Sequence, residues 1–286
     1  MKLLTKRLPF TPAHVMFIGD IQWAGAKNPN ASALSILKQN IQKGQDLDCW
    51  YVGMGDFLDF LSPSNRARLT GANLYDTATD VIDQKAMELV HELFDLALRP
   101  TVGRWLAYVE GHHFTQLREG DTTDMRLCQL LKAPFVGTSG IINLSFTRSG
   151  GVTVPACIWI HHGVGSGQTG YYPLARLEKV SATWEGIDVF AMGHTTKMAV
   201  EFANKPRPRW GQGRQKEPDL THRKVILIGS GGYSKTYQEN VMQGQVPRGG
   251  YAEQRMLSPS ILGSPILHLR PVHQAHREWI DMTVEA

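Results

Sequence analysis

Short apolar segments that alternate with helical patterns constrain the fold of this chain most strongly. Six runs rich in Val, Ile and aromatic residues are bounded by glycine or charged residues, as buried strands tend to be. They are His14–Gly19, Cys49–Gly55, Arg104–Val109, Ala156–Ile160, Ile187–Met192 and Val225–Ile228. Helical spacing between them, over Ser32–Lys43, Asp80–Arg99 and Pro173–Glu185, predicts an α/β sheet protein. A hairpin predicted from Ile141–Phe146 to Val152–Val154 makes the expected sheets mixed.

Length and composition favour one large soluble domain. The 286 residues show no repeat and no domain boundary, so we expect a single domain over 1–286. Within it we expect a basic loop at about 204–224 and an irregular C-terminal segment at about 235–286. No run approaches the roughly 18 apolar residues of a membrane helix. The absence of a signal-like start and the three scattered cysteines predict a cytoplasmic protein with reduced thiols.

Side chains that bind metal ions follow five of the predicted strands, at the point where each strand ends. The segments are Gly19-Asp20-Ile21-Gln22, Gly55-Asp56-Phe57-Leu58-Asp59, Gly111-His112-His113, His161-His162-Gly163 and Gly193-His194-Thr195-Thr196. In open α/β sheets the binding site lies beyond the carboxyl ends of the strands. Separate Asp, His and amide groups brought together there would hold hydrolytic metal ions.

The order of these segments resembles the five motifs of the calcineurin-like metallophosphoesterases. The family pattern is D-x-H, G-D-x-x-D, G-N-H-D/E, a His after a strand, and G-H-x-H. The C-terminal part resembles phage- and prophage-encoded members at Ile228-Gly229-Ser230, Tyr251-Ala252-Glu253 and Leu262-Gly263-Ser264-Pro265. The resemblance implies a sandwich of two mostly mixed β-sheets flanked by helices. It also implies a centre with two divalent metal ions.

The resemblance assigns a role to each matching residue. Asp20 corresponds to the first-metal ligand and Asp56 to the carboxylate that bridges both metals. The second metal would be held by Asp56 together with His112, which replaces the family Asn, and by two further histidines, His162 and His194. His113 matches the catalytic histidine that protonates the leaving-group oxygen.

Three positions depart from the family pattern, and two of them belong to the first metal. Gln22 and Thr196 stand where the family has histidines, which implies a weaker first site. Gln22 either contacts the metal or hydrogen-bonds to a ligand. Its neutral oxygen favours manganese, with zinc, iron and magnesium as alternatives.

Two further residues keep alternative roles. His161 and His162 are consecutive on a strand and point to opposite faces, so one of them should bind metal, and the following glycine favours His162. Asp59 either supports a ligand or caps a helix.

The implied reaction is phosphodiester hydrolysis by attack of a metal-bound hydroxide, and we expect DNA or RNA as the substrate. The basic segment, with Arg207, Arg209 and Arg214, is the candidate phosphate-binding arm, although a solvated loop fits it equally well. A hydrolase of small nucleotides or nucleotide diphosphates is the first alternative. A catalytically degenerate metal-binding scaffold is the second. No membrane partner is expected, and a homo-oligomer is left open.

Overall fold

Two six-stranded mixed sheets form the frame of the molecule in a computed structural model. The structure describes residues 1–26, 31–60, 75–165, 167, 169–209, 218–238, 242–243, 246–247, 251–254, 256–274 and 277–286. Within these ranges, a sandwich of two sheets with helices on its outer faces agrees with the α/β class that the sequence predicts.

The first sheet has the order β1-β6-β7-β8-β10-β9. Its strands are β1 (Lys2–Pro9), β6 (Ser139–Thr147), β7 (Thr153–His161), β8 (Val189–Met192), β9 (Met198–Arg209) and β10 (Asp219–Ser230). Strands β7, β8 and β10 run parallel to one another, while β6 pairs with β7 and β9 pairs with β10 in antiparallel fashion. The β6–β7 pair confirms the predicted hairpin.

The second sheet has the order β14-β13-β2-β3-β4-β5. It contains β2 (Ala13–Ile18), β3 (Trp50–Gly53), β4 (Trp105–Val109), β5 (Phe135–Gly137), β13 (Ile266–Gln274) and β14 (Arg277–Glu285). Strands β2 to β5 are parallel, and β13 joins β2 in antiparallel fashion. Two short strands, β11 (Met242–Gln243) and β12 (Val246–Pro247), form a separate pair.

Helices cover the outer faces of both sheets. They are α1 (Leu34–Asp46), α2 (Tyr75–Leu93), α3 (Thr123–Leu131), α4 (Tyr171–Ser181) and the short α5 (Tyr251–Gln254). The end of α2 continues through a π turn at Phe94–Leu98 and a 3₁₀ turn at Arg99–Thr101 that contains Pro100, which cannot continue a helix. None of the helices among the described residues is long and apolar enough to cross a membrane.

Three buried clusters hold these layers together. The largest joins both sheets face to face, with Phe17 and Val52 from one sheet meeting Ile158 and Ile228 from the other. A second cluster packs α1, α2 and α3 onto the second sheet, and a third packs Leu177 of α4 onto the first. The sandwich therefore has two inner faces and two helix-covered outer faces, and the parallel strands β2, β3, β4 and β8 are covered on both sides.

The structure corrects two expectations about irregular segments. Most of the C-terminal segment after residue 265 is the β13–β14 hairpin, and the described part of the supposed basic loop belongs to strands β9 and β10. Strands β9 and β14 and the outer parts of β10 and β13 carry charged side chains on an exposed face, so these parts lack the apolar runs that reveal buried strands. Pro271 is tolerated because β13 pairs with β2 only over Ile266–Leu269.

Candidate metal centre

The carboxyl ends of five parallel strands deliver the polar residues to one place. Asp20 follows β2, Asp56 follows β3, and His112 follows β4. From the other sheet, His162 follows β7 directly and His194 follows β8. The carboxyl ends of these strands from both sheets meet here, and residues far apart in sequence therefore become neighbours.

Several of these residues have a left-handed backbone, which is costly outside glycine. Among the described residues, five of the eight non-glycine positions with positive φ lie in the strand-end segments. They are Asp20 (47°), Gln22 (51°), Asp56 (54°), His194 (68°) and Thr196 (52°). Such strain costs on the order of 1–3 kcal/mol per residue and concentrates at functional sites. The turns therefore lower the stability of the fold but orient these side chains toward one place.

Four residues form a compact group of metal-binding side chains. One ligand atom from each of Asp56, His112, His162 and His194 lies within 4.8 Å of all the others. The ring of His112 lies 4.7 Å from both other rings, centroid to centroid, and the rings of His162 and His194 are 5.2 Å apart. A carboxylate and three imidazoles are a suitable set for a divalent transition-metal ion.

Backbone carbonyls fix which imidazole nitrogens carry lone pairs. The Nδ1 of His162 lies 2.6 Å from the carbonyl oxygen of Met54, which can only accept, so Nδ1 carries the hydrogen. Likewise the Nε2 of His194 lies 2.8 Å from the carbonyl oxygen of Gly165. The lone pairs on His162 Nε2 and His194 Nδ1 are thus directed into the group. Metal-binding histidines are usually oriented in this way, by a hydrogen bond from the ring nitrogen that does not bind the metal.

The lone pair of His162 faces a carboxylate oxygen. His162 Nε2 lies 3.0 Å from Asp56 Oδ2, yet it is buried without a hydrogen bond among the described residues. His194 Nδ1 lies 3.2 Å from His112 Nδ1 and accepts a hydrogen bond from it when His112 carries its hydrogen on Nδ1. Buried acceptors such as His162 Nε2 and Asp56 Oδ2 repel each other unless a cation or a proton lies between them. The residues therefore fit a bound metal ion.

In the metal-free protein a proton can take the place of the cation at His162. Burial alone would lower the pKa of His162, but the contact with Asp56 outweighs burial and raises this pKa to about 9. Burial would raise the pKa of Asp56, but His162 holds it well below its usual range. A metal ion entering the group must displace this proton.

Asp20, which the family resemblance assigns to the first metal, lies beside the group of four. Its Oδ2 accepts a hydrogen bond of 2.9 Å from the His194 backbone N–H, while its Oδ1 is buried with no partner in the described parts of the chain. Burial raises the pKa of Asp20 to about 7. An orphaned, fully buried carboxylate oxygen is what a second cation would satisfy.

The two altered first-metal positions both meet serine hydroxyls. Gln22 Oε1 accepts a 2.6 Å hydrogen bond from Ser234, and Thr196 Oγ1 lies 3.1 Å from the hydroxyl of Ser260. Both side chains thus contact neighbouring hydroxyl groups.

Asp56 also anchors the turn that carries the two histidines after β4. Its Oδ1 accepts hydrogen bonds from the backbone N–H groups of His112, at 2.5 Å, and His113, at 2.9 Å. Gly111 is required at this point, because a Cβ there would overlap Oδ1 and the backbone nitrogen of Asp56. The Asp56 carboxylate therefore stabilises the loop through Oδ1 and could bind an ion through Oδ2.

His113 stands at the rim, paired with Asp59. Its Nδ1 lies 3.0 Å from Asp59 Oδ1, and its Nε2 lies 3.9 Å from Asp56 Oδ2. The hydrogen bond that His113 Nδ1–H donates to Asp59 raises the pKa of His113. The protonated form of His113 is thereby favoured, and its Nε2 faces the centre, which is the arrangement that a general acid needs.

Asp124 is a buried contributor that the sequence does not reveal. Its Oδ2 accepts a 3.0 Å hydrogen bond from the Gly111 N–H, and its Oδ1 lies 3.3 Å from the Tyr108 hydroxyl. It therefore supports the same turn from behind. In the sequence it is only an acid in the first turn of α3, where helix-dipole stabilisation explains it equally well.

The remaining candidates lie outside the group. The ring of His161 stacks on Trp159, and its Nδ1 accepts a 2.7 Å hydrogen bond from the Gly163 N–H. Arg207 and Arg209 are exposed on β9, and Arg214 lies outside the described residues.

One solved structure resembles the chain distantly. It is the crystal structure of calcineurin-like phosphoesterase YfkN from Bacillus subtilis, with 10% sequence identity and a TM-score of 0.40. The similarity covers 97% of this chain and 91% of that one. No protein-family model and no curated protein matches the chain. A similarity this distant carries no argument about activity, so the functional conclusion must come from the site itself.

Proposed function

We propose that this chain is a metal-dependent phosphoesterase that hydrolyses phosphodiester bonds. The observation that carries the proposal is the pair of buried acceptors, His162 Nε2 and Asp56 Oδ2, at 3.0 Å within a group that includes His112 and His194. Without a metal ion a proton must lie between these two atoms, and a metal ion would take the place of that proton. The strained turns around them support the same conclusion.

The residues divide between two ions. Asp56, His112, His162 and His194 would hold one of them, and Asp20 with Asp56 would hold the other. Divalent ions at such a centre lower the pKa of water and neutralise phosphoryl oxygens. Asp20 and the neutral oxygen of Gln22 favour manganese or magnesium at the position of the first metal.

His113 would supply the proton that the leaving oxygen needs. The Asp59 carboxylate favours the imidazolium form of His113, and Nε2 is free to donate because Nδ1 is held by Asp59. In the reaction the Nε2–H bond breaks as the leaving oxygen accepts the proton. Asp59 then keeps the neutral ring oriented for the next turnover.

We further propose nucleic acid as the substrate class. The formal net charge of +4 and the exposed Arg207 and Arg209 support an anionic polymer. A small nucleotide or nucleotide diphosphate is the alternative, because the centre itself would accept any phosphoester. The two classes differ in the salt dependence of binding, which is steep for a polymer that releases counterions.

The test uses bis-p-nitrophenyl phosphate with metal-stripped protein refilled with manganese, zinc, iron or magnesium. We expect metal-dependent turnover of this substrate, and on a dinucleotide, whose leaving alkoxide needs a proton, a loss of roughly 10²-fold or more in His113→Ala. His91→Ala, which removes an exposed histidine from α2, should keep full activity. Absence of turnover with every metal, in protein that is folded and binds metal, would contradict the enzyme and favour the metal-binding scaffold.

A further inference from the structure

The β9–β10 hairpin extends beyond the sheet to which it belongs. Strand β8 pairs with β10 only over Ile226–Gly229, whereas β9 follows β10 along its whole length from Asp219 to Ser230. The outer part, Asn204–Arg209 with Asp219–Lys224, is therefore a two-stranded ribbon, which we call the arm. Its side chains are mostly exposed on both faces, unlike the buried inner half of β10.

Topology places the arm at the opposite end of the molecule from the metal centre. The centre lies at the carboxyl end of β8, and β10 runs parallel to β8. Strand β9 begins beside the centre at Met198 and runs away from it in antiparallel fashion. At about 3.3 Å per residue, the nine residues from Met198 to Arg207 span roughly 30 Å. The arm and the catalytic group cannot contact the same phosphate.

The charge of the arm is uneven and only partly neutralised. Lys205 donates to the backbone carbonyl of Ser181, and Arg223 forms an ion pair of 2.7 Å with Asp188. Arg207 and Arg209 lie on the same face two residues apart, exposed and without an ion pair among the described residues.

One acidic residue moderates this charge without removing it. Asp219 faces Arg209 across the ribbon and is the only acid in the two strands of the arm. The face therefore presents net positive charge to solvent, and its natural ligand is an anion.

The edge of the arm excludes one common kind of partner. Pro206 and Pro208 alternate along the outer strand, and proline removes the backbone donors that an added strand would need. Recognition by the arm must therefore come from side-chain charge. Arginine pairs well with phosphate, because its planar fork can donate two hydrogen bonds to one phosphate group.

We propose that the arm is a remote docking site for the phosphate backbone of a nucleic-acid strand that extends to the metal centre. At a rise of 3.4 Å per nucleotide, a stacked strand must be roughly nine nucleotides long to reach from Arg207 to the centre. Cleavage of such a strand rests on the proposed phosphodiesterase function, but binding by the arm does not. A strand shorter than this can contact the arm or the centre but not both, so it should bind more weakly than a long strand.

The experiment compares Arg207→Gln/Arg209→Gln with Lys38→Gln/Lys179→Gln, which removes the same charge from two exposed helical positions. Fluorescence anisotropy with labelled, hydrolysis-resistant phosphorothioate single-stranded 5-mer and 30-mer DNA, in manganese so that the centre can hold its ion, measures binding over a series of salt concentrations. Wild type should bind the 30-mer at least about 10-fold more tightly than the 5-mer. The arginine variant should lose most of this gain, and its salt slope should fall by about 1.4, or 0.7 per phosphate contact.

Two results would overturn the proposal. One is a 30-mer affinity and salt slope in the arginine variant equal to those of wild type, and the other is equal loss in the lysine control. Turnover of bis-p-nitrophenyl phosphate is measured in parallel and should be the same in all three proteins. If wild type has no such turnover but binds the 30-mer through the arm, the enzyme proposal fails and the arm proposal stands.

Discussion

At the scale of single residues, the centre depends on where protons sit. The Met54 and Gly165 carbonyls fix the hydrogens of His162 and His194 on the nitrogens that face away from the group. The remaining lone pair of His162 faces Asp56 Oδ2, and a proton or a metal ion must lie between these atoms. Competition between the two links metal affinity to pH.

The first prediction concerns this competition. Because Asp56 raises the pKa of His162 to about 9, the metal-free protein holds a proton there at neutral pH. Loading with manganese should release about one proton, and the apparent affinity should rise about tenfold per pH unit between pH 7 and 9. Calorimetry in two buffers of different ionisation enthalpy measures the released proton. An affinity independent of pH in this range would show that His162 is already unprotonated.

The second prediction concerns the proton on His113. Asp59→Asn removes the hydrogen bond that raises the pKa of His113, so this pKa should fall. The acid form then disappears at lower pH, and the basic limb of the profile of kcat/KM against pH should shift to lower pH. His113→Ala should lack this limb altogether. An unchanged limb in Asp59→Asn would contradict the pairing.

At the scale of elements, the strand-end turns position the ligands at the expense of local stability. Left-handed residues follow β2, β3 and β8, and close backbone contacts surround the turn after β4. The turn after β4 is held from both sides, by Asp56 in front and by Asp124 behind. Any side chain added inside this turn should disturb the two histidines that it carries.

The third prediction tests this turn with a matched pair of glycines. Gly111→Ala places a Cβ against Asp56, whereas a Cβ at Gly170 has no atom within 4 Å and a helical backbone to accept it. We expect Gly111→Ala to lose manganese binding and to be destabilised by roughly 1–3 kcal/mol, as overpacked sites are. Gly170→Ala should stay within about 0.5 kcal/mol of wild type in urea unfolding. Equal behaviour of the two variants would show that the turn tolerates a side chain.

Elements with a strong local signal are predictable from the sequence, and those without one are not. The buried parallel strands and the three long helical patterns are visible because their apolar spacing is local. Strands β1, β9, β13 and β14 expose one face or an edge, so they lack a long apolar run, and β1 pairs with the distant β6.

The same distinction applies to the candidate site. Asp56 and His162 follow strands directly, so the sequence indicates them. The contacts of Ser234 and Asp124 with the site form only when the chain has folded, and no local pattern marks these residues.

At the scale of the whole molecule, the centre joins the two sheets of the sandwich. Asp20, Asp56 and His112 belong to one sheet, while His162 and His194 belong to the other. A metal ion bound by residues of both sheets would link the sheets at the carboxyl ends of their strands. Metal binding and global stability are therefore coupled.

The fourth prediction follows from this coupling. Manganese at about 100 times its Kd should stabilise the folded protein by about 2.7 kcal/mol, which raises the Tm by roughly 5 °C or more for a chain of this size. Asp56→Asn, which removes the anionic member of the group, should lose this increase. Differential scanning calorimetry measures both values. An equal increase in the variant would place the stabilising ion elsewhere.

The measurement that tests the metal centre most directly compares two neighbouring histidines. Calorimetric metal titrations are made on His162→Ala and His161→Ala. Each variant loses one imidazole at the end of β7, and only His162 belongs to the group of four. We predict that His161→Ala keeps the tight manganese site and that His162→Ala loses it, as does His112→Ala, whose side chain is exposed. Wild-type affinity in both His162→Ala and His112→Ala would contradict the centre described here.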